Sequence, residues 1–163
     1  MTSQSTANSP TETTTHWSLL VVRLALGVPI LISGVGKVLA IGPKPMGISG
    51  FAGFLASLGV PLPTVAAWGV GLLELVGGAL LLAGLTVRVT SALIAIDMLV
   101  ATVMYHLPNG YPAASAGVEL TLTLCLVALA LAITGPGAFT VRRALSDTER
   151  RPSGASQSRG TDR

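Results

Sequence analysis

TVAAWGVGLLELVGGALLLAGLTVRVTSALIAIDMLVATVMY, from Thr64 to Tyr105, contains two apolar runs, 64–83 and 87–105, parted by little more than Gly84. A hydrocarbon core roughly 30 Å thick takes about 20 helical residues to cross, so each run predicts one membrane span. A turn this short makes the two spans antiparallel neighbours.

Working upstream, LLVVRLALGVPILISGVGKVLAI lies within a third apolar stretch, about 17–41, long enough to cross even with Arg23 and Lys37 near its ends. GPKPMG then breaks the helix. The GFAGFLASLGVPLP that follows sets Phe51, Phe54, Leu55 and Leu58 at i, i+3, i+4 and i+7 before Gly59 and Pro61 stop it. That spacing predicts a short amphipathic helix, lying at the membrane surface or packed on the bundle as a loop helix. Downstream, HLPNGYPAAS is turn-rich, and a last apolar run, about 116–134, ends at GPG. The expected fold is all-α: an integral membrane antiparallel four-helix bundle, with the amphipathic interfacial helix between spans 1 and 2.

Composition agrees. The mean hydropathy is +0.71, and charged residues make up 10% of the chain where a soluble domain has roughly 25%. The domain organisation expected is a Ser/Thr-rich disordered leader over 1–16, a membrane domain over 17–145 and a basic, disordered cytoplasmic tail over 146–163. The leader has no Lys or Arg, so it lacks the basic start of a signal peptide. Six of the ten Lys and Arg lie between Arg142 and Arg163, outside the apolar part, where they suit anionic lipid. Without a basic face interleaved with aromatics, nucleic acid is not expected as a partner. Arg88, Arg142, Arg143, Arg150 and Arg151 all fall on one side of a four-span topology and only Lys44 faces them, so both termini are expected in the cytoplasm of a multi-pass plasma-membrane protein.

Ionisable side chains inside lipid cost roughly 2.5–3.5 kcal/mol each on translocon scales, so they pair or line a pathway. Five qualify: Arg23, Lys37, Glu74, Asp97 and Glu119. At about 1.5 Å per residue, Glu74 and Asp97 both lie roughly 15 Å from the Gly84 turn and share a depth. Lys37 and Glu119 fall near the outer end, which predicts a structural ion pair between them. Arg23 is expected nearer the cytoplasmic end, its long stem reaching toward Glu74. Glu74, Asp97 and Arg23 are therefore the candidates for proton handling or for lining a ligand cavity. Against that stands the plainer reading, static interhelical glue.

His16 and His106 fall on opposite sides, and no His or Cys cluster has metal-ligand spacing, so no metal site is expected. The single Cys125 permits no internal disulfide or dithiol, and it reads as a small packing residue. Gly27, Gly34, Gly36, Gly69, Gly71, Gly77, Gly78 and Gly84 offer small surfaces for close helix approach. Pro29 is expected to kink the first span.

Arg23, Gly27 and SGVGK up to Lys37, then LGVPLP, LLELVGGALLLAGLTVR with Glu74 and Arg88, and the closing GPGAFTV of 135–141 together resemble the DoxX family. Arg142 stands where that family often has Asp. The resemblance covers about Leu19 to Val141. It implies a membrane subunit of a redox complex, similar to the small subunits of quinone-linked sulfur oxidoreductases and tied to oxidative stress. By that implication the chain is at most a subunit of an oxidoreductase: it binds no cofactor of its own, accepts a quinone, and anchors a redox protein partner that performs the electron chemistry. The alternatives are a non-enzymatic membrane scaffold and a small-molecule or lipid carrier, with membrane lipid as neighbour and a homo-oligomer as one assembly. The residues themselves leave substrate and electron donor open.

Overall fold

The computed structural model describes residues 10–137, without the side chains of 10–16. Among the described residues the α-helices are α1 Pro10–Val38, α2 Gly47–Ser57, α3 Pro63–Ala83, α4 Val87–Ala101 and α5 Glu119–Thr134, with no strand. A π-helical turn, Thr102–His106, and a 3-10 turn, Leu107–Asn109, prolong α4. Three helical stretches are long and apolar enough to cross a membrane: Trp17–Val38, Pro63–Ala83 and Val87–Asn109. The fourth apolar helix, α5, has 16 residues and rises about 24 Å.

The boundaries move from the sequence reading for local reasons. The leader expected to be disordered over 1–16 is helical from Pro10, since proline is well suited to a helix's first position. Residues 1–9 and the basic tail lie outside the described residues. The first span stops at Val38 rather than 41 because Ala40 turns left-handed (φ 56°) and Met46 donates its N–H back to the Gly36 carbonyl at 3.1 Å. The helix runs on through Pro29. The fourth helix starts at Glu119, not 116, because Ala116 is left-handed (φ 61°) and Val118 and Glu119 donate to the carbonyls of Gly110 and Tyr111.

The Gly84 turn forms as expected. Gly84 takes a left-handed conformation (φ 71°), its N–H donates to Leu81 and that of Leu85 to Leu80, which satisfies two carbonyls that the end of α3 would otherwise leave bare.

α1 packs chiefly on α3, α4 on α5, and α2 on the start of α3. The main core gathers Leu26, Ile30, Leu81, Val87, Ile94, Met98, Ala128 and Leu131. A second, separate cluster joins Phe51 and Ala52 of α2 to Ala67 of α3. Large apolar side chains point outward along every span, among them Leu24, Val28, Trp68, Leu72, Val76, Leu93, Ile96, Leu126 and Ile133. In water such a surface would be a liability; against acyl chains it is the expected exterior of a membrane bundle.

The antiparallel α1–α3 contact is set by glycine. A Cβ placed on Gly34 would meet the backbone of Leu75 and Glu74, and one on Gly78 the backbone of Leu31. Further down, Gly27 faces Leu82, and further up Gly71 faces Val38. This register places Lys37 near Gly71, one turn above Glu74.

Candidate functional site

Glu74 is 2% exposed, at the middle of α3, and forms a salt bridge with Lys37 of α1. The ammonium also donates to the Ser33 hydroxyl at 2.9 Å and lies over the ring of Phe51, 4.8 Å from its centroid. Lys37 reaches down to Glu74 because side chains lean toward a helix's N-terminus, so its stem runs back along α1 past Ser33.

The expected pair of Lys37 with Glu119 does not form. Glu119 is exposed, and its carboxylate accepts the N–H of Ala113, closing the connection before α5. The lysine stem is long and leans along α1, so the depth of its Cα does not fix that of its ammonium. Neighbours decide the rest, for α1 packs on α3 far more than on α5.

Asp97, on α4, lies within electrostatic range of both Glu74 and Lys37. Its Oδ2 is buried and has no hydrogen-bond partner among the described residues. One ammonium and two carboxyl groups, from three different helices, thus lie within electrostatic range of one another inside the bundle. The expectation that Glu74 and Asp97 share a depth agrees with the packing of Gly77, which faces Thr90 and Ile94 across the α3–α4 contact.

Arg23 goes elsewhere. It is 2% exposed, and its Nη1 donates to the Pro136 carbonyl at 2.8 Å, just beyond α5. A Cβ on Gly135 would stand 2.8 Å from Nε of Arg88, and one on Gly137 would touch Leu19. The Arg23 bond therefore holds the GPG segment at the end of the bundle that carries the Gly84 turn, with Arg88 and Leu19 close against its two outer glycines. Arg23 was expected to reach Glu74, but α1 places it opposite the far end of α3, below Gly27 and its neighbour Leu82.

At the opposite end, aromatic side chains form a layer over the charged group. Phe51 and Phe54 stack with centroids 6.3 Å apart, Phe54 meets Tyr105 edge to face at 4.8 Å, and Tyr105 meets His106 at 4.9 Å. Nδ1 of His106 donates to the Ala116 carbonyl at 2.6 Å and so fixes the loop. Neither Phe51 nor Tyr105 is among the site candidates that the sequence marks. The signal for Phe51 was its helical spacing with Phe54, which marks an apolar face but not what that face covers.

Comparison with known proteins follows the same stretch of chain. The family model described as DoxX matches residues 18–107, which include Arg23, Lys37, Glu74 and Asp97. The inner membrane protein YqjF of Escherichia coli (strain K12) is 31% identical over 134 residues, 78% of this chain and 92% of its own. The uncharacterized membrane protein Rv3486 of Mycobacterium tuberculosis is 31% identical over 139 residues, 79% of this chain and 82% of its own. No solved structure matches.

Proposed function

The chain belongs to the DoxX family of membrane proteins, and on that premise we propose that it is the membrane subunit of a redox complex, offering an intramembrane site to a quinone while a partner protein performs the electron chemistry. The observation that carries the reading is the Lys37–Glu74 pair with the unpartnered Oδ2 of Asp97 beside it, beneath the rings of Phe51, Phe54 and Tyr105. A quinone head presents carbonyl oxygens to an ammonium, a flat face to aromatic rings and protons to be exchanged with a carboxyl group. Its tail belongs in lipid.

The chain's own share in the reaction is to bind the head, orient it and hold a proton at the Asp97 carboxyl. Electrons come from the partner, because the single Cys125 provides no dithiol. The orientation that fits is a bacterial plasma membrane with both termini in the cytoplasm: Arg88 stands at the Gly84 end and the tail's arginines follow α5. A relative carrying the name inner membrane protein supports the same placement.

A titration of the purified protein in native lipid tests the site. Decylubiquinone should change Trp17 and Trp68 fluorescence saturably, and Glu74→Gln or Asp97→Asn should weaken that response. A flat titration with the fold intact would remove the quinone from the proposal. Isolation in mild detergent tests the complex, with a flavoprotein, sulfurtransferase or dismutase as the expected companion.

One observation favours the scaffold reading instead: the Lys37–Glu74 pair joins α1 to α3 at their tightest contact. If Glu74→Gln disrupts assembly while Asp97→Asn leaves the host complex fully active, the charges are structural and the scaffold reading replaces the first.

A further inference from the structure

Lys37 satisfies three directions from one ammonium: the Ser33 hydroxyl, the Glu74 carboxylate and the face of Phe51. An ammonium has three N–H bonds, so the ring of α2 takes the last of them. Of the three partners it alone has no lone pair. A carbonyl oxygen offered to the same N–H makes a charge-assisted hydrogen bond, the stronger contact, and displaces the ring.

The rest of α2 is arranged for such a displacement. Its contacts with α3 form a cluster that shares no residue with the main core, so α2 can tilt away without opening the bundle. The chain on either side passes through left-handed backbone, at Ala40 (φ 56°) and Gly42 before the helix and at Gly59 and Leu62 (φ 50°) after it. Phe54 makes the matching contact across the gap, edge to face on Tyr105, eight residues beyond Asp97 on the same continuous helix.

We propose that α2 is a lid over the Lys37–Glu74–Asp97 group, and that Phe51 keeps the position on the Lys37 ammonium that the oxygen of a neutral amphiphile takes when the lid lifts. The ligand is neutral because the Glu74 carboxylate beside the ammonium already balances its charge and repels a second anion. It is an amphiphile because the spans around the site present apolar side chains to lipid, which admits the tail. The identity of the ligand rests on the function proposed above; the lid motion does not.

The test is a spin-label distance between α2 and the opposite end of the bundle, in the full chain in lipid nanodiscs with Cys125→Ala. Gly53→Cys and Val89→Cys carry the labels, since Gly53 has open space at its Cβ and Val89 is exposed. The chain with Phe51 should show one distance. Phe51→Leu should add a second population, raising the open fraction about tenfold for the loss of a cation–π contact, and Phe51→Trp should restore the single distance. Excess decylubiquinone should produce the second population with Phe51 in place. An unchanged distribution in Phe51→Leu, at unchanged Tm, overturns the lid. A lid that opens in Phe51→Leu but ignores decylubiquinone upholds the lid and removes the quinone.

Discussion

Gly78 of α3 and Leu31 of α1 meet backbone to backbone: a Cβ on the glycine would stand 2.7 Å from the Leu31 nitrogen. Gly34 makes the reciprocal contact with Leu75 one turn further up, so the two helices touch through a pair of glycines without side chains between them. In lipid, where apolar burial does not drive helices together, this close approach supplies much of the attraction.

Gly34→Ala and Gly78→Ala should each destabilise the bundle by at least the roughly 1–3 kcal/mol typical of overpacking, because backbone cannot move aside as a side chain can. Gly69→Ala, at a glycine with open space around its Cβ, should be neutral or slightly stabilising. Thermal unfolding in detergent would separate the two classes. Equal losses at all three positions would mean that the α1–α3 contact is not as close as described.

Breaking the buried ion pair from one side should be severe. Lys37→Met or Glu74→Leu leaves one charge without its partner and should lower stability by about 3–5 kcal/mol, whereas the double variant should recover a large part of the loss. Glu119→Gln removes an exposed acceptor and should cost below about 1 kcal/mol. A double-mutant cycle in chemical unfolding measures the coupling, and additivity would deny the Lys37–Glu74 contact.

Arg23→Met should loosen the end of α5 by removing a charged donor from the Pro136 carbonyl, a loss of roughly 1.5–3 kcal/mol. The readout is local: amide hydrogen exchange in the last turn of α5 should quicken, with the α1–α3 contact unaffected. Protection that stays uniform would place the anchor of the GPG segment elsewhere.

Asp97 should behave opposite to Glu74. Because its buried Oδ2 lacks a partner among the described residues, Asp97→Leu should leave stability unchanged or raise it by about 1 kcal/mol, while abolishing the decylubiquinone response. Functional groups held at the expense of stability give this signature. A variant that unfolds and still binds would reverse the assignment of roles.

The helices were legible because apolar runs of membrane length announce themselves, and so was α2, whose Phe51, Phe54, Leu55 and Leu58 repeat at helical spacing. The ionisable residues that matter could also be picked out, since charge in lipid is rare. Their partners could not. Depth alone pairs Lys37 with Glu119, yet the choice between Glu74 and Glu119 depends on which helix packs on α1, and that is written in the glycines at 34 and 78 rather than in the charges. The bond from Arg23 to Pro136 joins residues 113 apart in sequence, and no local pattern records it. Nor does TVMYH, Thr102–His106, carry a sign of the π-helical turn it forms.

The two apolar clusters, one holding the spans and one holding α2 to the start of α3, make the molecule thermodynamically two-part. On heating, the smaller unit should melt first, ahead of any loss of the spans. Calorimetry would then record a shallow step before the main transition, and a single melting temperature would report on the bundle but not on the segment that covers its charged interior.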